Sequence, residues 1–262
     1  MHRFTVREHL PGVYHIKDAM GVCMTLLTGS ERSLLIDAGY GLEDVSAFVR
    51  TLTDKPVQLL LTHGHHDHAL GARWFDTALM LRDEVTVYAT YTQAHWRSRV
   101  AEQAADKGLT VPENWMDADM ASPCPIDAES IALGGMTAQI IAVPGHTPGS
   151  AVVYVPERSL LLTGDDWNPT TWLFFPESVG VGVYRAHMSA LTSLPFRHVL
   201  CPHQEALFPR RALEDFLAGL TDEALRQARP VDMGWALDTR EAHPAPGQQF
   251  VFDYAKAREV LS

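Results

Sequence analysis

An α/β (α+β) fold of four layers, two packed sheets with helices on the outside (αββα), is what this 262-residue sequence predicts. Three observations predict it. Short β-rich runs recur in two successive groups of similar make-up. Segments with apolar residues at helical spacing lie between or after those runs. No low-complexity stretch or Gly/Ser linker separates the groups, so residues 1–262 read as a single domain. With 46% hydrophobic and 20% charged residues, the chain has material for a full core.

The first group begins with a strand over residues 22–28, a turn at Gly29-Ser30-Glu31, and a hairpin partner over 33–36 that ends at Asp37. Residues 42–52 carry Val45, Phe48, Val49 and Leu52 at helical spacing. The near-continuous apolar run 57–61 reads as a strand covered on both faces. A helix is expected over 69–75. The second group has strands over 137–143, 151–155 and 159–163, with a turn at Pro156-Glu157-Arg158. A helix over 184–194 leads into a strand over 198–201. One amphipathic helix is expected over 210–228, with Leu213, Phe216, Leu217 and Leu220 on one face. Two stretches fit this frame poorly and read as insertions that shape access to a site: 92–127, helical at first, and the aromatic loop 166–183. Phe250-Val251-Phe252 reads as an edge strand or the interface of a homodimer.

Charge narrows the partners. A net charge of −11 disfavours nucleic acid, whose phosphates need clustered Lys and Arg. It is equally poor for an anionic membrane surface. Residues 1–9 have neither the apolar core nor the cleavage site of a signal peptide, and no apolar run approaches a membrane span. Cys23, Cys124 and Cys201 are odd in number and form no C-x-x-C pair, which points to a reducing, cytoplasmic setting.

The chemistry is concentrated in His63-Gly64-His65-His66-Asp67-His68. In extended chain, His63 and His65 point the same way and can reach one ion. Asp67 and His68 follow as the chain turns, which aims them to another side and suits a second ion. His146, Asp165 and His203 each come just past an apolar strand, as His63 does. Five histidines and two aspartates suffice for two four- or five-coordinate ions with a position left for water. The spacing alone does not assign ligands to individual ions.

The order Asp37, H-x-H-x-D-H, P-G-H-T-P-G, T-G-D, P-H resembles the metallo-β-lactamase fold superfamily, from about residue 12 to 220. The resemblance implies an αββα sandwich with its site on one edge. It implies that His63, His65 and His146 hold one metal and Asp67, His68 and His203 the other, with Asp165 between them. Asp37 would orient the ligand loop without binding metal, and Asp67 would orient the attacking hydroxide. His66 occupies the variable position and should point away from the ions. His2, His9, His15, His95, His187, His198 and His243 are left as surface or core residues, His95 and His187 being the two that could approach the pocket. Cys201 reads as a buried core residue.

The implied activity is glyoxalase II-like hydrolysis of a small-molecule ester, thioester, lactone or amide by a metal-bridging hydroxide, on two Zn2+ ions, with Fe or Mn as alternatives. The sequence departs from several members. It lacks the basic C-terminal motif of true glyoxalase II enzymes. Asn168 stands where homoserine-lactone lactonases have tyrosine, and the basic elements of RNA-processing relatives are missing. Trp167, Asn168, Trp172, Phe174 and Phe175 are the expected pocket, with Trp96 and Trp115 as further candidates, and their aromatic character suits a substrate with an apolar portion. A mononuclear iron persulfide dioxygenase is the alternative enzyme class, and a non-catalytic metal-binding protein the remaining one.

Overall fold

The computed structural model describes residues 4–261; His2 lies outside them. Seven strands form the first sheet in chain order: Thr5–Leu10, Val13–Lys17, Cys23–Thr28, Ser33–Ile36, Val57–Leu60, Thr77–Leu81 and Ser122–Ile126. The first four are antiparallel neighbours, and the last three are added in parallel. The second sheet has six strands. Its centre is Thr137–Ala142, Ala151–Val155, Leu160–Leu162 and His198–Leu200, the last two parallel in register.

Strand alternation builds the layers. Leu34, Ile36 and Leu60 face inward and pack with Ile140, Val153, Leu160, Leu162 and Leu200 of the second sheet. Leu35, Leu59 and Leu61 point outward to Val45, Val49 and Tyr88 on the helices that cover the first sheet. Val152, Tyr154 and Leu161 point to the opposite outside, against Tyr184 and Met188 of helix Val181–Ala190 and Phe216 of helix Arg210–Gly219. This is the expected αββα sandwich.

Several elements differ from the sequence expectation. Helix 42–52 shrinks to Val45–Val49, capped by Asp44, whose carboxylate accepts from Ala47 N at 2.8 Å. The 69–75 segment is a tighter 3-10 helix, Leu70–Trp74. A Cβ on Gly71 would stand 1.9 Å from the Ala38 carbonyl, so this turn is wedged against the end of the first sheet. The helix expected over 184–194 runs from Val181 to Ala190. The expected 210–228 helix is two, Arg210–Gly219 and Asp222–Arg226. Gly219 lies so close to Pro244 that a Cβ would meet its carbonyl at 1.7 Å, and Thr221 caps the new start.

Neither insertion is wholly irregular. The first contains helix Ala94–Asp106, and its end, Ser122–Ile126, completes the seven-stranded sheet. The second contains strand Thr170–Leu173, which pairs in parallel with Gln249–Asp253. That strand in turn pairs with Thr239–Ala242, forming a third sheet of four strands with Arg229–Pro230. Phe250-Val251-Phe252 is therefore an interior strand, buried against Tyr184 and Phe216, and neither an edge nor an open interface. The three central residues of Gln249–Asp253 are covered on both faces. No helix among the described residues is long and apolar enough to cross a membrane.

Candidate metal centre

The ligand-type residues come from loops at one edge of the sandwich. Past Val57–Leu60, the Leu61 N–H still bonds to Leu79, but the next one, Thr62 N, donates to the Asp37 carboxylate at 2.7 Å. Thr62 carbonyl then accepts from Ala151 of the facing sheet at 2.9 Å, tying the two sheets beside the site. His63 and His65 follow. The His65 carbonyl accepts from His68 N and Ala69 N, opening the one-turn helix His66–Ala69 that carries Asp67 and His68. Because Leu160–Leu162 and His198–Leu200 run parallel, Asp165 and His203 emerge at the same end.

All seven residues meet. Ligand atoms of His63, His65 and His146 lie within 4.8 Å of one another, as do those of His63, His68 and Asp165, and those of Asp67, His68 and His203. His65 Nδ1 and His146 Nε2 are 2.8 Å apart. Asp165 spans the clusters: Oδ2 is 3.7 Å from His146 Nε2 and 3.1 Å from His203 Nε2, while Oδ1 is 3.5 Å from His68 Nε2. Asp67 Oδ2 stands 3.6 Å from His68 Nε2 and 3.7 Å from His203 Nε2.

The far side of each inner histidine is tethered. His63 Nδ1 meets Thr62 Oγ1 at 3.1 Å, and His65 Nε2 meets Glu177 Oε1 at 2.7 Å. His68 Nδ1 meets Asp37 Oδ2 at 3.0 Å, and His146 Nδ1 meets the Trp172 carbonyl at 2.7 Å. Such outer partners fix the ring and the tautomer. The opposite atoms, His63 Nε2, His68 Nε2 and Asp165 Oδ1, are buried without a hydrogen-bond partner. Buried polar atoms without partners are costly, and divalent cations held among these residues would satisfy them. The donor set, imidazoles and carboxylates without thiolate, fits zinc or iron.

Charge follows the same division. Burial pushes His63 well below its ordinary value and His146 down to about 4, helped by neighbouring histidines, so both are neutral and ligand-ready. Burial also opposes charge on His68 and Asp165. The carboxylates around His68 nonetheless hold it well above its ordinary value, and His203 and His68 hold Asp165 well below its own.

Two buried carboxylates brace the ligand loops. Glu84 accepts from Gly64 N at 2.7 Å, Thr147 Oγ1 at 2.7 Å and Gly149 N at 3.1 Å, so it joins the His63–His68 loop to the His146 loop. Burial pushes its carboxyl up to about 7. Asp166 accepts from His146 N at 2.9 Å. Gly64 is required where it stands, because a Cβ would approach Tyr88 N to 2.3 Å.

Beside the ligands opens a cavity of about 510 Å³, bordered by Asp67, Asp165 and His203. Asn168, Trp172, Phe174 and Phe175 line it as the sequence suggests, and so does Trp96. Trp167 does not: it is fully buried in the outer core, with Nε1 donating to Gln248 and its ring edge-on to Phe208. Trp115 is also buried, behind Val100 and Leu70. His66 is in none of the donor clusters; its ring stacks on Trp96 at 4.9 Å and forms part of the cavity wall. His95 and His187 are not in the wall, and Cys201 belongs to the core. Sequence reasoning missed Glu84, Asp166, Tyr91, Arg99, Glu177 and Trp235. Only Glu177 left a signal, as the sole carboxylate in residues 167–183.

Two facing sheets whose strand ends converge His and Asp on three overlapping donor clusters define a metalloprotein with its centre on the edge of an αββα sandwich. The chain belongs to the metallo-beta-lactamase superfamily, whose family model matches residues 19–165. It is 27% identical over 172 residues to the acyl-coenzyme A thioesterase MBLAC2 of Gallus gallus, covering 56% of this chain and 59% of the relative. It is 25% identical over 183 residues to a hydroxyacylglutathione hydrolase of Cereibacter sphaeroides, covering 66% and 62%. The match thus spans about three fifths of the length of these curated relatives. Among solved structures, a metallo-beta-lactamase family protein of Thermus thermophilus superposes with TM-score 0.61 at 20% identity, covering 83% of each chain. A sec-alkylsulfatase from a Pseudomonas species gives 0.62 at 17%, covering 84% of this chain and 42% of that one. These two likenesses concern the fold.

Proposed function

We propose that the chain is a metal-dependent hydrolase of a small-molecule ester, thioester, lactone or amide, working with two divalent ions, zinc foremost. His63, His65 and His146 would hold one ion, and Asp67, His68 and His203 the other, with Asp165 shared. One observation carries the reading: seven ligand-type side chains converge, and His63 Nε2, His68 Nε2 and Asp165 Oδ1 are left buried without partners. The names of the relatives, a thioesterase and a hydroxyacylglutathione hydrolase, support acyl cleavage.

Ions so held supply a water of lowered pKa and polarise a carbonyl. The chain's own residues supply the rest. Asp67 borders the cavity and is held below its ordinary carboxylate value by His68, His66 and His203, against the opposing effect of burial. Its ionised carboxylate, which would also hold an ion, is placed to orient an attacking water. Phe175, Trp172 and Trp235 form a wall that receives the apolar part of a substrate and keeps bulk water from the reacting carbonyl.

The test is metal quantification on purified protein alongside a panel of esters, thioesters and lactones. Two metal equivalents with turnover are expected, and His63→Ala and Asp165→Asn should lose both metal and activity. Full activity in metal-free protein overturns the reading. One iron per chain with no zinc overturns it in favour of the oxygenase.

A further inference from the structure

We propose that Arg99 forms an anion-binding end to the cavity, so that the preferred substrate is an apolar ester or thioester with a carboxylate or phosphate remote from the reacting carbonyl. The proposal rests on the hydrolase reading for its substrate, and on the following geometry for its site. Helix Ala94–Asp106 presents Trp96, Arg99 and Gln103 to the cavity, at the i, i+3, i+7 spacing of one helical face. Among the described residues, Arg99 is the only Lys or Arg in the wall. The two acidic residues of the wall, Asp67 and Asp165, are engaged in the donor clusters.

Some of the chain's other arginines are neutralised by a carboxylate. Arg185, Arg210, Arg211 and Arg240 each pair with a carboxylate at 3.2 Å or less, in a chain whose net charge is −11. No carboxylate among the described residues forms an ion pair with Arg99, although acidic side chains outnumber basic ones 32 to 21. Its guanidinium lies 5.1 Å over the Trp96 ring, which stacks on His66 at 4.9 Å and on Tyr91 at 4.5 Å. His66 is part of the ligand loop. A ladder of rings therefore runs from the metal centre to an unpaired cation, with Tyr91 and Trp96 alongside to accept an apolar chain. Stacking pre-organises the planar fork that binds carboxylate or phosphate in two places.

The test compares the mono-4-nitrophenyl ester of suberic acid with its methyl-capped, neutral counterpart, and with an analogue carrying a terminal phosphate. Metal-loaded wild type should favour an anionic ester by about fivefold or more in kcat/KM, the scale of an ion pair at an open mouth. The difference should lie in KM, because the group Arg99 is proposed to bind is remote from the reacting carbonyl. Arg99→Ala should erase it and leave the neutral ester within about twofold, while Arg99→Lys restores part. Preference for one of the two anionic esters identifies the oxyanion. Equal loss on charged and neutral esters in Arg99→Ala, or no preference in wild type, overturns the proposal. Calorimetry with suberate and octanoate separates this from the hydrolase reading. If no ester is cleaved but suberate's advantage over octanoate disappears in Arg99→Ala, the anion site stands and the hydrolase reading falls. If suberate has no advantage in wild type, the anion site falls whatever the turnover.

Discussion

Glu177 is the clearest place to perturb the centre without touching a ligand. Its Oε1 accepts from His65 Nε2 at 2.7 Å and from Tyr91 Oη at 2.6 Å. Fixing the proton on Nε2 leaves the Nδ1 lone pair directed at the cluster. Burial tends to raise the Glu177 carboxyl, yet the hydrogen bonds from His65 and Tyr91 hold it down at about 2. Relative to an ordinary 4.5 that is about 3 kcal/mol in favour of the ionised form. Part of the side chain remains exposed, so solvent screening reduces this to about 1–2 kcal/mol. If the carboxylate acts by holding His65, Glu177→Ala should weaken binding of one metal equivalent by about five- to thirtyfold. Glu177→Gln keeps an acceptor and should cost less, and Tyr91→Phe, which leaves the His65 bond intact, should change affinity by less than about twofold. Zinc competition against a chromophoric chelator, resolved into first and second equivalents, measures each case. The deficit should be the same from pH 6 to 9. A depressed carboxyl contributes its stabilisation above the unfolded value, and loses it only as pH falls through about 2. Wild-type affinity for both equivalents in Glu177→Ala would refute the reasoning.

Other predictions follow from single contacts. Gly64→Ala drives a Cβ to 2.3 Å from Tyr88 N, a backbone atom that cannot yield, so thermal unfolding should show a midpoint lower by several degrees and titration should show reduced zinc stoichiometry. Lys256 Nζ donates to the carbonyls of Phe175 at 2.7 Å, Pro176 at 3.0 Å, and Ser178. Lys256→Met keeps the stem and removes these bonds, so hydrogen exchange in residues 175–178 should speed up and KM should rise more than kcat falls. His15, buried between Thr25 Oγ1 and the Gln204 carbonyl, is pushed by burial to about 4. Its neutral form is the folded one, so its stabilisation is complete above 6.5 and is lost as pH falls toward 4, about 3 kcal/mol in all. Urea midpoints at pH 7 and 4.5 should record that loss, and His15→Gln should flatten it.

The chemistry of this chain was legible because it is local. Each ligand follows an apolar run whose end is marked in the sequence: His63 after 57–61, Asp165 after Leu160–Leu162, and His203 after His198–Leu200. Assigning ligands to ions required the family resemblance, since overlapping clusters such as those sharing His63 and His68 have no sequence signature. The partners that brace the ligands were not legible. Glu177 is 112 residues from His65, and Asp166 is 20 from His146, and nothing in either neighbourhood names the other. The same cause split the expected 210–228 helix, whose break is set by contact between Gly219 and Pro244.

The pocket lies between these extremes. Within Thr170–Leu173 the alternation of a strand sends Thr171 and Leu173 to the core and Trp172 to the cavity, a pattern readable once the strand is recognised. Recognising it requires its partner Gln249–Asp253, which lies some eighty residues on. Trp167, just before the strand, looks identical by composition and faces the core. The wall is thus assembled from helix Ala94–Asp106, the loop around Phe175 and the segment around Trp235, held together by long-range contacts such as those of Lys256. Ligands fixed by strand ends and walls fixed by remote contacts can change independently. Substitutions at 96, 99, 103 and 172 should therefore shift substrate preference at constant metal content, whereas changes at Glu84 or Asp37 should alter metal content whatever the substrate.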